Sequence, residues 1–389
     1  MKHKPHILPI LILAQFACTS LWFAGNAIID DIALKTGLGP EIIGYVLSSV
    51  QFGFITGTLL FAFLMIADRF SPSKVFFICA LLAAACNLSL FTEVLSKWQL
   101  LFARFGTGFF LAGIYPIGMK IAADYYENGL GKALGFLVGA LVLGTSFPYL
   151  LKGLELNSNS DTVLIITSTI AIIGGLLVVL FVPNGPFRKR STNIKIKAGI
   201  SLFKIPKFRQ AALGYFGHMW ELYAFWAFTP FALQTYLTVN NSTFSIPLLT
   251  FVIIALGGLS CVLGGYVADK FGSRKIAYYA LLLSGVFCVV SPLLFELPAL
   301  LFLIGWSLWG MAVTADSPQF SSLIANAAPP ELKGTGLTLV NCFGFAISII
   351  SIQLLTVLAA EINPTLIFLF LSIGPLIGLF FMTKKTIHD

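Results

Sequence analysis

The sequence predicts an all-α membrane protein of twelve transmembrane helices in two pseudo-symmetric six-helix halves. Three observations lead there. Hydrophobic residues make up 58% of the chain and charged residues only 10%, against about half and a quarter in soluble domains. Apolar runs long enough to cross a hydrocarbon core, about 20 residues each, recur from end to end and leave little chain for a soluble domain. Charged loops also repeat along the chain at a constant spacing of 201 residues.

The first run, 7–29, follows Lys2 and Lys4 and exceeds the apolar core of a signal peptide, about 7–15 residues, so it reads as a retained helix. Runs at 42–66, 75–92, 98–123, 130–151 and 162–182 complete a first half, 1–182. Residues 183–210 break the pattern with Pro183, Gly185 and Pro186 followed by eight basic residues, which reads as a basic linker. Runs at 211–236, 247–268, 275–294, 299–324, 335–358 and 364–383 form the second half, 211–389.

Twelve spans put both termini on one side. Loops on the opposite side hold Lys35, Lys97 and Lys152, whereas the termini and the remaining loops hold twenty basic residues. The positive-inside rule places the termini and the linker in the cytoplasm. This asymmetry accounts for the net charge of +8 without nucleic acid, whose recognition needs a basic patch on a soluble face. The six cysteines lie in apolar segments with no CxxC spacing, so no disulfide framework, metal or cofactor is expected.

The repeat is specific. Asp68, Arg69, Phe70 and Lys74 after span 2 correspond to Asp269, Lys270, Phe271 and Lys275 after span 8, and Lys132 and Gly135 correspond to Lys333 and Gly336. The run Gly265, Asp269, Lys270, Gly272, Arg274 and Lys275 resembles the signature loop of the major facilitator superfamily. Leu64, Ser71, Pro72 and Ser73 depart from that signature in the first half. Arg104 with Gly108 resembles the family's second signature, an intramembrane arginine linked with proton coupling. Gly135, Gly139, Gly144 and Pro148 loosely resemble its antiporter pattern. Segments 218–223 and 316–320 look similar to branches compared with nitrate or cyanate permeases. The resemblance implies a secondary carrier with spans 1, 4, 7 and 10 around a central cavity, and loops at Asp68 and Asp269 that hold one conformational state.

An ionisable group at the centre of a span costs roughly 2.5–3.5 kcal/mol on insertion scales, which makes such residues functional candidates. Arg104, His218, Glu221 and Asp316 qualify, and all four fall in the spans that the resemblance places around the cavity. Three residues apart, His218 and Glu221 share a helix face and are candidate partners. Glu221 is the foremost candidate for proton exchange. The alternative for Arg104 is a structural bond to backbone carbonyls, and for Asp316 a bond to groups freed by Pro318. Asn26, Tyr115, Trp220 and Tyr223 are candidate substrate contacts, with Gln15, Trp22, Phe23, Trp226, Trp309, Asn341 and Gln353 as further polar or aromatic neighbours. No second histidine follows His218 at the spacing of a zinc protease, and no nucleophile and base pair suggests an enzyme.

With no ATP-binding loop, the expectation is a monomeric, proton-coupled carrier of a small molecule in the bilayer of a bacterial inner membrane, exporting by antiport. Uptake of a small anion with Arg104 as counter-charge, or a sensor that has lost transport, are the alternatives.

Overall fold

The computed structural model describes residues 6–39, 41–92, 94–126, 130–154, 161–188 and 196–384. Lys2, Lys4, Lys189, Arg190, Lys195 and Lys385, part of the basic asymmetry, lie outside the described residues. Every regular element among the described residues is helical. Nine of the described helices are long and apolar enough to cross a membrane, and Pro72–Leu88 and Ile367–Thr383 are shorter apolar helices. Pro206–Asn240 has the length, at 35 residues, but carries more polar side chains. These twelve segments follow the twelve runs of the sequence.

Three spans differ from continuous helices, and proline explains each. Span 4 divides into Lys97–Leu111 and Tyr115–Tyr125, and span 10 into Ala299–Ala315 and Ser317–Ala327. Pro116 and Pro318 have no N–H for the carbonyls of Ala112 and Thr314, so the ladder is interrupted one turn ahead of each ring. Span 12 opens as a 3-10 stretch, Ile367–Ser372, ahead of Pro375, which cannot donate to Leu371. Span 7 starts at Pro206, inside the segment expected as linker, because proline's fixed φ suits the first helical position.

By its internal contacts the chain divides into two compact units, Met1–Asn193 and Ile194–Asp389. In the first, span 1 packs on spans 5 and 6, span 2 on span 4, and span 3 on spans 4 and 6. In the second, span 7 packs on spans 11 and 12, span 8 on span 10, and span 9 on spans 10 and 12. The repeat read from loop charges therefore extends to helix packing. Small residues permit the closest approach: a Cβ on Gly108 in span 4 would run into the carbonyl of Val50 in span 2.

Candidate functional site

His218 and Glu221 lie on one helix but take different partners. Glu221 is fully buried. Its Oε2 accepts a hydrogen bond from Ser284 Oγ at 2.9 Å, and its Oε1 accepts from Trp309 Nε1 at 2.6 Å and from Cys288 Sγ at 3.4 Å. Spans 9 and 10 thus supply three neutral donors and no cation. Trp309 is itself held between Phe225 and Trp306, with ring centroids 4.8 and 4.9 Å away, which fixes the direction of its N–H.

His218 does not pair with Glu221 as its spacing suggested. Its Nδ1 lies 2.8 Å from Asp316 Oδ1, with both side chains fully buried. The two atoms are at ion-pair distance but miss the alignment of a hydrogen bond. Apart from this contact, neither ring nitrogen and neither carboxylate oxygen has a hydrogen-bond partner. Proximity is the firmer fact, because ring flips and tautomers alter alignment without moving the pair apart. Tyr215 and Phe320 close around the imidazole at 5.8 and 6.0 Å between ring centroids.

Asp316 sits at the break in span 10, following Ala299–Ala315 and preceding Ser317–Ala327. The Asp316 backbone N–H reaches the Thr314 carbonyl that Pro318 leaves unserved, and Cys261 Sγ from span 8 donates to the same oxygen at 3.2 Å. Backbone and thiol therefore mend the break. The carboxylate of Asp316 is not used for that purpose.

Arg104, in the first unit, is fully buried on span 4. Its Nη2 donates to the carbonyl of Trp22 and its Nη1 to that of Leu21 at 3.3 Å, both on span 1. Nη1 also lies 3.5 Å from Asn87 Oδ1, and Asn87 Nδ2 continues to Thr167 Oγ1 at 3.2 Å and Ser168 Oγ at 3.0 Å on span 6. Gly25 leaves room for the guanidinium, since a Cβ there would stand 3.1 Å from Nε. The alternative named for Arg104, bonding to backbone carbonyls, is the arrangement found.

The remaining candidates are dispersed. Asn26 is buried with its Oδ1 unpartnered, as are the amides of Gln15 and Gln51. Tyr115 is half-buried where the second piece of span 4 begins. Trp220 Nε1 donates to the Phe370 carbonyl at 3.1 Å. Tyr223 is buried with its ring 5.3 Å from Trp226 and 5.1 Å from Phe345.

In the second signature loop Gly272 joins spans 8 and 9 at φ 86°, a conformation that favours glycine. Gly265 faces open space, and Asp269 and Lys270 are exposed. Arg274 donates through Nη2 to the Met382 carbonyl at 2.9 Å and to Gln210 Oε1 at 3.3 Å. In the first loop the side chain of Asp68 lies outside the described residues, and Arg69 is exposed. The left-handed turn there falls at Met65, φ 51°. Arg188 donates through Nη2 to the Phe70 carbonyl at 2.8 Å.

Sequence reasoning missed Asn87, Ser284 and Cys288. Ser284 and Cys288 carried a usable signal, two polar groups one turn apart on an otherwise apolar span. Among the described residues no group of three metal-ligating side chains occurs, and the six cysteines are free.

The profile of the Major Facilitator Superfamily matches residues 10–352. A 3-(3-hydroxy-phenyl)propionate transporter of Escherichia coli strain K12 is 28% identical over 81 residues, which is 21% of this chain and 20% of that protein. The match thus spans about a fifth of that curated relative's length. Among solved structures, the human organic anion transporter MFSD10 (TETRAN) has a TM-score of 0.72 at 15% identity, covering 98% of this chain and 100% of that one. The nucleoside transporter NupG has a TM-score of 0.73 at 17% identity, covering 97% and 99%. A bacterial homologue of the human lysosomal transporter Spinster, inward-facing and occupied, has a TM-score of 0.69 at 16% identity, covering 98% and 97%. With two helical units built on one packing scheme and a profile match that spans most of its length, the chain belongs to the Major Facilitator Superfamily, a family of membrane transporters.

Proposed function

We propose that this chain is a proton-coupled secondary carrier that moves a small organic solute by alternating access, in the direction of export by antiport. The observation that carries the proton coupling is the trio His218, Asp316 and Glu221, all fully buried in the second half. Ionisable groups are expensive inside a membrane and are kept where ions or substrates move. No phosphate-binding loop accompanies them, so an ion gradient supplies the driving force.

The chain acts as a monomer in a bacterial inner membrane, with termini and basic linker in the cytoplasm. The distribution of basic residues supports this orientation. The three lysines assigned to the opposite side are locally compensated: Lys35 lies 3.2 Å from Asp161, Lys152 lies 2.8 Å from Asp31, and Lys97 sits 4.0 Å over the Tyr45 ring.

Uptake of a small anion is the second reading. The names of the E. coli relative and of MFSD10 favour it, and Arg104 Nε is buried without a partner. Against it, both terminal nitrogens of Arg104 are committed to the first half's own backbone.

A thermal-shift screen of purified protein with 3-(3-hydroxyphenyl)propionate, a nucleoside and lipophilic organic cations identifies a ligand, because binding the folded state raises its stability. That ligand is then offered to proteoliposomes under an imposed pH gradient. Antiport predicts accumulation in an acid lumen, and symport predicts accumulation from an acid medium. Flux indifferent to the gradient contradicts proton coupling. Binding without flux supports the sensor.

A further inference from the structure

The second half holds two buried carboxylates whose surroundings differ in kind. Glu221 has three donors, and the shortest hydrogen bond comes from Trp309, which belongs to an aromatic cluster. In its charged form Glu221 accepts from all three, so each of these donors favours the carboxylate. Asp316 has one basic neighbour, His218, and no directed hydrogen bond. With His218 Nδ1 2.8 Å from Asp316 Oδ1 and no further hydrogen-bond partner on either side chain, an added proton is held by the pair alone.

The position matters as much as the chemistry. Asp316 stands where span 10 has lost its helical hydrogen bond to Pro318, and His218 belongs to a different, continuous helix. A change in attraction between them therefore acts at the break of span 10. The neighbouring spans add little competing charge. Span 7 itself brings Tyr215 and Glu221, span 8 brings Cys261, span 9 Cys288 and span 11 Cys342, whereas span 12 brings no acid or base to this interior.

We propose that the proton-exchanging group of this carrier is the His218–Asp316 pair, seated on the break of span 10, and that Glu221 is a positioning residue that holds Trp309 and span 9. The assignment rests on the proton-coupled reading above and divides its labour. On taking up a proton, the pair changes from a neutral imidazole beside a carboxylate to a neutral imidazole beside a carboxylic acid. The step adds one proton and one positive charge to the pair and breaks no other bond.

Infrared difference spectroscopy of the purified protein in lipid tests this without a substrate, because a buried carboxylic acid has a resolved C=O stretch that appears as the group protonates. The wild type is expected to show such a band, growing as the pH is lowered. Asp316→Asn removes the titrating band. His218→Asn retains it with a midpoint moved by about one pH unit or more, since the basic neighbour 2.8 Å away is gone. Glu221→Gln leaves it in place. The assignment is overturned if the band survives Asp316→Asn and vanishes in Glu221→Gln, if the wild type shows none, or if His218→Asn leaves the midpoint unmoved. His218→Asn decides the matter where Asp316→Asn fails to fold. Failure of the proton-coupled reading is separate: it shows as flux indifferent to the pH gradient even where the band titrates.

Discussion

The two halves share a scaffold and differ in what they bury. Spans 1–6 and 7–12 pack in the same pairs, and spans 4 and 10 both break just ahead of a proline. Yet among the described residues the first half buries one cation, Arg104, tied to span 1 carbonyls and to Asn87, and one acid, Asp124, near the end of span 4, whereas the second buries two acids and a histidine. Helix packing tolerates such divergence because it is set by small residues at crossings and by where prolines interrupt the ladder. Those features are independent of the side chains that point into each interior. The first half uses its charge to hold helices together. The second half sets one acid against a histidine and the other among neutral donors.

The comparison is broken most severely at the span 2–4 crossing. Gly108→Ala drives a Cβ into the Val50 backbone, whereas Gly310→Ala in span 10 meets the Ile253 carbonyl only at 3.0 Å. Overpacking of this kind costs about 1–3 kcal/mol, so Gly108→Ala should lower the thermal unfolding midpoint in detergent more than Gly310→Ala. Equal shifts would mean that the two crossings are equally tight.

Arg104→Gln tests whether the first half's charge is structural. Hydrogen bonds from a charged donor contribute about 1.5–3 kcal/mol, so the variant should unfold at a clearly lower temperature. Asp316→Asn should cost less, having no directed hydrogen bond to lose. Unchanged stability with lost transport in Arg104→Gln would put Arg104 on the substrate path.

A smaller effect is expected where spans 3 and 9 begin. Ser73 Oγ donates to the Val182 carbonyl at 2.5 Å, and Arg274, at the corresponding position, donates to the Met382 carbonyl at 2.9 Å. The same tie between neighbouring helix ends is made with a hydroxyl in one half and a guanidinium in the other. Ser73→Ala and Arg274→Gln should each cost on the order of 1 kcal/mol in denaturant unfolding, with the Arg274 effect the more sensitive to salt.

The smallest effect separates the two signature loops. Asp269 lies in the intact loop, and the departures at Ser71, Pro72 and Ser73 surround Asp68. Asp269→Asn should therefore slow transport more than Asp68→Asn at equal expression, with stability unchanged in both. The reverse order would mean that the departures do not weaken the first loop.

Much of this architecture was legible because hydrophobicity and basic charge are carried by many residues at once. Twelve runs and a spacing of 201 survive any single substitution. The breaks in spans 4 and 10 were present as Pro116 and Pro318, but an apolar run masks a proline unless its missing N–H is traced to a carbonyl four residues back. The early start of span 7 was written in Pro206 and hidden by the lysines around it. Side-chain partnership was the least legible. His218 and Asp316 meet only because spans 7 and 10 cross at that height, and Glu221 turns toward Ser284 and Trp309 because it is offset from His218 around the helix. Neither fact follows from spacing along one helix.

The most direct test compares two modes of flux in proteoliposomes, using the ligand found by thermal shift. Asp316→Asn should exchange that ligand between equal concentrations at a rate near wild type and fail to accumulate it under a pH gradient, because binding and alternation persist while proton exchange is lost. If Asp316→Asn accumulates the ligand as the wild type does, and Glu221→Gln is the variant that cannot, the division of labour between the two buried carboxylates is contradicted.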